Sequence, residues 1–363
     1  MKITPEDIVD LARGAAFLGT GGGGDPYIGR LMLKSALDGG RTVEIVDAED
    51  LPDDALVVPT ALMGAPTVLV EKLPGGEEII HAIRKLEAYL GERAFATMPI
   101  EAGGINSTTP LVVGLRLGLP VVDADGMGRA FPELQMETFA VYGVSGTPMV
   151  IANEYGDSAI VEAHSNAMAE WIARGVTIRM GGTSYIAVYP MRGRDVKRTA
   201  IRNTLTLALR IGRCLGQARA RHRDPFAALV TELADTPHGF GKVIFHGKVV
   251  DLWRRTTQGF AKGHALLQGI EGESRRLELV FQNEYLIARS EGELLAIVPD
   301  LVCVLDSETA EPITTEMLRY GQRVKVLGVS VPPIMRTPEA LAVFGPRAFG
   351  LDEPFRPIET LHP

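Results

Sequence analysis

The chain has 363 residues, 46% of them hydrophobic and 23% charged, and a formal charge of −8 from 37 basic and 45 acidic side chains. That length leaves room for two domains, or for one large domain with an appendage, and the composition is that of a globular protein. The charge, spread along the chain without a basic block, argues against nucleic acid as a partner. No apolar leader and no run of about 18 apolar residues is visible, so the expectation is a cytoplasmic protein with no membrane partner.

The first element is a helix. In TPEDIVDLARGAAFL (residues 4–18), Thr4, Pro5 and Asp7 form a start signal, and Ile8, Leu11, Ala15 and Leu18 recur at helical spacing. Four consecutive glycines follow, Gly21 to Gly24, before Asp25-Pro26. Gly19, Gly21 and Gly24 match G-x-G-x-x-G, with Asp47 ending a predicted strand further on. In a dinucleotide fingerprint a strand must lead into the glycines, and here a helix does; a Walker loop needs Gly-Lys-Ser/Thr where Asp25 stands. We therefore expect no nucleotide. Asp25 is read as the N-cap and Pro26 as the first residue of a second helix, and the glycine backbone as a contact surface for an anionic or carbonyl group.

Short buried strands are predicted at TVEIVD (42–47) and ALVVPT (55–60), a helix at GEEIIHAIRKLEAYLG (76–91), and a strand at RAFATMPIE (93–101). A capped helix, NSTTPLVVGLRLG (106–118), and another strand, PVVDADG (120–126), complete an α/β layer with a largely parallel sheet, whose ligand site should lie beyond the carboxyl ends of the strands. Two loops there concentrate polar chemistry. One holds Glu101, Asn106 and Ser107; the other, DADGMGRAFPELQM, holds Asp123, Asp125, Arg129, Glu133 and Gln135.

Helices should dominate 163–234, notably the long pattern at 194–219, with VTIRM (176–180) and SYIAVYP (184–190) as short strands. After ADTPHGFGK (234–242), short strands and Gly-bearing turns imply a barrel or sandwich. The expected division is an α/β domain over 1–237, a β-rich domain over 238–335, and a tail over 336–363 packing back on the first domain. Cys214 and Cys303 show neither metal nor disulfide spacing.

The motifs LGTGGGGDP, EAGGINS and DADGMGRAFPELQM, followed in order by TTQGFAKG, FQNEYLIA, VPDLVCVLD, EPITTEMLRYGQRVKVL and GPRAFG, cover nearly the whole chain. On them it resembles the S-methyl-thiohydantoin desulfurase family, often encoded beside hydantoin-utilisation proteins. The resemblance implies a small heterocyclic substrate and a hydrolase that replaces the methylthio group of a hydantoin-like ring with oxygen from water, releasing methanethiol. The alternative is a noncatalytic ring-binding subunit of a hydantoinase or oxoprolinase system.

Such hydrolysis needs a base and ordered donors. Glu101, Asp123, Asp125 and Glu133 are the candidate catalytic groups; Gly21, Gly22, Gly23, Gly24, Asn106, Ser107, Arg129, Asn283 and Glu284 are the candidate substrate contacts. A divalent metal is left open as the source of activated water, although the seven histidines form no metal motif. Self-association is also left open.

Overall fold

The computed structural model describes residues 1–24, 26–64, 68, 75–257 and 260–363. The expected N-cap Asp25 lies outside them. Thr4 starts the first helix as read: its backbone N–H and its hydroxyl both donate to Asp7 Oδ2 at 3.0 Å. The helix Ile8–Leu18 then buries Ile8, Leu11, Ala15 and Leu18. It crosses the helix Thr204–Ala220 backbone to backbone, because Gly14 lies against Ala208 and Gly212 against Asp10 with no room for a Cβ at either. The helix Pro26–Ala36 follows the glycine run.

The N-terminal sheet has nine strands. Its centre is parallel, in the order Val43–Val46, Val121–Val122, Ala96–Met98, Leu56–Gly64. Thr183–Ala187, Met149–Ala152 and Ser158–Val161 extend it antiparallel beyond Leu56–Gly64, and Lys2–Ile3 closes the other edge. Apolar β-branched residues suit these doubly covered strands. The carboxyl ends of Leu56–Gly64 and Ala96–Met98 lead to Gly64 and Glu101, on the same edge of the sheet.

Two local readings are corrected. The segment at 176–180 is not a strand: the helix Asn166–Arg179 runs through it, started by Ser165, whose Oγ accepts the Met168 N–H at 3.2 Å. Ala173 and Thr177 are buried four residues apart, so a helical stripe outweighs the β propensity of Val-Thr-Ile. The pattern at 194–219 is not one helix either. It breaks into Gly193–Thr199, a short strand Ile201–Arg202 paired with Ala124–Asp125, and Thr204–Ala220. Asn203 sits between at φ 61°, its N–H held by the Asp123 carbonyl at 2.7 Å.

The C-terminal sheet is a single seven-stranded antiparallel sheet, curled into a half-barrel, with no second layer of a sandwich among the described residues. Its strands run in the order Glu293–Ile297, Glu284–Ser290, Arg276–Gln282, Phe260–Gly269, Gly241–Thr257, Arg323–Val329, Leu301–Asp306. The longest, Gly241–Thr257, carries irregularities near Val243 and Val249 that let it bend. Phe245, Val249, Leu267, Leu279, Phe281 and Tyr285 pack in one cluster on this sheet.

The glycine run ties the two sheets together: Tyr285 N–H donates to Thr20 O and Thr315 N–H to Gly21 O, both at 2.8 Å. The tail touches both units, Phe344 and Phe349 stacking on Phe131 while Ile358 packs onto Gly328. Among the described residues no helix is long and apolar enough to cross a membrane.

Candidate functional site

Where the parallel strands end, a small polar cavity of about 60 Å³ lies between the two sheets. Gly23 and Gly24, Gly64, Glu101 and Asn106, Met127 and 131–134, and Asn283 and Glu284 line it. Gly23 and Gly24 have φ of 75° and 83°, which only glycine adopts freely, and they present backbone unobstructed by side chains. The loops interlock tightly, since a Cβ on Gly23 would strike Gly103 and one on Gly22 would strike the Glu284 carboxyl.

Glu101 is the best-defined group. Asn106 folds back along Leu62, accepting its N–H at 2.7 Å and donating to its carbonyl at 3.0 Å, and donates from the same Nδ2 to Glu101 Oε1 at 2.7 Å. One carboxylate oxygen is thus fixed, while Oε2 is buried without a hydrogen-bond partner. Burial pushes the Glu101 carboxyl up to about 8; the Asn106 amide opposes this, the nearby charge of Asp125 adds to it, and the Phe131 backbone N–H opposes it more weakly. Such a group changes charge near neutrality, as a general acid or base must.

Glu284 faces it from the other sheet. Burial, then the charge of Glu101, raises its carboxyl well above the carboxylate range against the pull of Arg129, and its Oε2 also lacks a partner. Burial thus favours the neutral form of Glu284 beside Glu101. Asn283, at φ 60°, uses its Oδ1 to accept the Ala261 N–H at 2.8 Å and its own N–H to donate to Ala261 O at 2.7 Å, which pins the turn that presents Glu284. Glu133 lies at the mouth and accepts from Gln135.

The other expected site residues do not line the cavity. Asp123 accepts the N–H groups of Leu205 and Thr206 at 2.9 and 3.1 Å, together with the Thr206 hydroxyl, so it caps the helix Thr204–Ala220. Arg129 is fully buried with all five donors used: Ala130 O, Pro299 O, Asp300 O, Tyr285 O and Thr20 Oγ1 accept from it at 2.7–3.1 Å. It has no donor left for a ligand.

Asp125 Oδ2 accepts the N–H groups of Ala102 and Gly128 at 2.6 and 2.9 Å, stapling the Glu101 loop to the next one; burial raises its carboxyl to about 7. Ser107 donates to Gly104 O at 2.8 Å, Gly21 packs beneath the Tyr285 ring, and Gly22 lies against Glu284.

Sequence reasoning missed Glu137. It is fully buried, neither carboxyl oxygen has a hydrogen-bond partner, and burial followed by the charges of Asp125 and Glu101 raises it well above the usual range. It also missed Arg174, which reaches the cavity from the helix Asn166–Arg179 and pairs with Glu170. Nothing in their local sequence separates either from an ordinary helix-start or helix-surface charge. Among the described residues, no group of three or more His, Cys, Asp or Glu is arranged to hold a metal ion.

Comparison with known proteins gives two family matches, the S-Me-THD-like N-terminal domain over residues 6–163 and the S-Me-THD-like C-terminal domain over 164–358. A crystal structure of a protein from Chromobacterium violaceum, a structural-genomics target, superposes with a TM-score of 0.84 at 25% identity, covering 99% of this chain and 100% of that one. No curated protein matches.

Proposed function

The chain belongs to the S-methyl-thiohydantoin desulfurase family, and we propose that it is a hydrolase that replaces the methylthio group of a hydantoin-like ring with oxygen from water. The observation that carries the reading is Glu101 Oε2, buried and unpartnered while Asn106 holds Oε1, inside a cavity that it shares with Glu284, whose own Oε2 is buried and unpartnered.

The reaction divides between these two carboxyls. Ionised Glu101 removes a proton from water as the oxygen attacks the ring carbon that bears sulfur, and the C=N electron pair moves onto the ring nitrogen, which takes a proton from Glu284. Collapse of the tetrahedral intermediate forms the carbonyl and breaks the C–S bond. The departing thiolate takes the proton held by Glu101, and the hydroxyl proton returns to Glu284. Both hydrogens of water are then accounted for, one on the ring nitrogen and one on methanethiol.

Gly23, Gly24 and Asn283 line the cavity and, on this reading, orient the ring. Incubation of the protein with an S-methyl-thiohydantoin and titration of free thiol tests the reading. Thiol release equal to ring consumed is expected, and release no faster than in buffer would defeat it.

A further inference from the structure

We propose that the ring accepted by this site carries an uncharged apolar substituent of aryl or branched-alkyl size, lying in a groove along the helix Asn166–Arg179. The inference rests on the hydrolase reading above and names its substrate class. The polar cavity measures only about 60 Å³, whereas the groove beside it measures about 980 Å³ and shares Glu133 and Arg174 with it as a common neck. Sites for whole small molecules run to about 300–1,000 Å³, so the cavity suits the reacting edge of a ring and the groove suits what is attached to it.

The walls of the groove decide the chemistry of the substituent. Trp171, Ile172, Val176, Ile178 and Phe260 supply them, and Trp171 and Ile178 stay 73% and 50% exposed on a helix that borders the cavity. Exposed apolar area of this kind, rimmed by polar groups, marks a place where something apolar binds.

At the neck, Arg174 is already occupied. Its Nε donates to Glu170 at 2.7 Å, a terminal nitrogen donates to Pro132 O at 2.8 Å, and its guanidinium lies over the Phe260 ring at 4.6 Å. Glu133, Asp157 and Glu170 outnumber Arg174 and Arg179 along the lining, so a carboxylate substituent would meet the wrong sign of charge. The continuity of the groove with the cavity points to substrate as its occupant in preference to a second copy of the chain.

The test uses S-methylated thiohydantoins bearing hydrogen, isobutyl, benzyl or carboxymethyl on the saturated ring carbon. For the wild type, kcat/KM should rise by about fourfold per methylene buried and at least about tenfold from hydrogen to benzyl, mainly through KM. In Trp171→Ala the benzyl-to-hydrogen ratio should fall back to within about threefold of unity. A wild-type ratio near unity, or a preference for carboxymethyl, overturns the inference. So does a Trp171→Ala variant that changes the oligomeric state in size-exclusion chromatography while leaving the ratio untouched. Should no ring release thiol, the hydrolase reading fails by itself. Calorimetric binding of the same series then decides the groove: tightening in the order hydrogen, isobutyl, benzyl supports it, and an absent order or absent binding overturns it.

Discussion

Two loops leave the same sheet, each rich in carboxylates, and they spend them differently. In the loop after Ala96–Met98, Glu101 keeps one oxygen without a partner beside a cavity. In the loop after Val121–Val122, Asp123 caps a helix, Asp125 staples two turns through Oδ2 while its buried Oδ1, also unpartnered, lies off the cavity lining, and Arg129 saturates every donor it has. The second loop looks richer in sequence and is the more completely consumed by structure. Buried polar groups are normally satisfied, so an unsatisfied one beside a cavity is a better pointer to chemistry than a dense run of charge.

The contrast predicts opposite consequences for substitution. Arg129→Met strands five buried acceptors, so it should lower the unfolding free energy by about 3–5 kcal/mol in urea titrations. A loss below about 1 kcal/mol would show that the buried arginine is not structural. Glu101→Gln keeps shape and the Asn106 contact while removing the base, and should cut kcat about 100-fold, some 2.7 kcal/mol, with the fold intact by circular dichroism. Retention of most of kcat would move the base elsewhere, with Glu133 the next carboxyl at the cavity.

The same substitution sharpens the comparison through pH. The Glu101 carboxyl titrates at about 8 in the folded chain against about 4.3 unfolded, so the native state binds the extra proton between these values. Its contribution to stability is complete below about pH 4.3 and is lost as pH rises through about 8. Relative to wild type, Glu101→Gln should therefore gain stability steadily from about pH 4.3 to 8. A difference that stays flat over that range would mean that Glu101 is not buried as a neutral acid. The smallest effect belongs to Asp123→Ala, which removes only a helix cap and should cost about 1 kcal/mol with kcat within about twofold of wild type; a large loss of turnover would return Asp123 to the chemistry.

Periodicity and punctuation carried much of the fold. The Thr4–Asp7 start, the helix entering the glycine run, the parallel alternation and the change of character near Gly241 are all local signals, and local signals are what a sequence states directly. The reading failed where two distant segments met. Residues 194–219 keep an unbroken helical pattern, yet pairing of Ile201–Arg202 with Ala124–Asp125 and capture of the next helix by Asp123 break it. At 176–180, β-branched residues signalled a strand, and burial of Ala173 with Thr177 against the body of the protein kept the helix going.

For the site, the sequence by itself named the chemically capable residues without ranking them: the glycine run, Glu101, Asn106, Ser107, Asp123, Asp125, Arg129, Glu133, Asn283 and Glu284. The tertiary structure decided which of the acids are available, because availability needs both a place on the cavity and an oxygen without a hydrogen-bond partner, and neighbours and partners come from anywhere in the chain. Asp123 is met by a helix 82 residues away and Arg129 by carbonyls up to 171 residues away. Glu101 meets its holder five residues on and the facing carboxyl of Glu284 only across the gap between the two sheets. Burial set the proton affinities as well, and burial is a property of the packed molecule that no stretch of sequence contains.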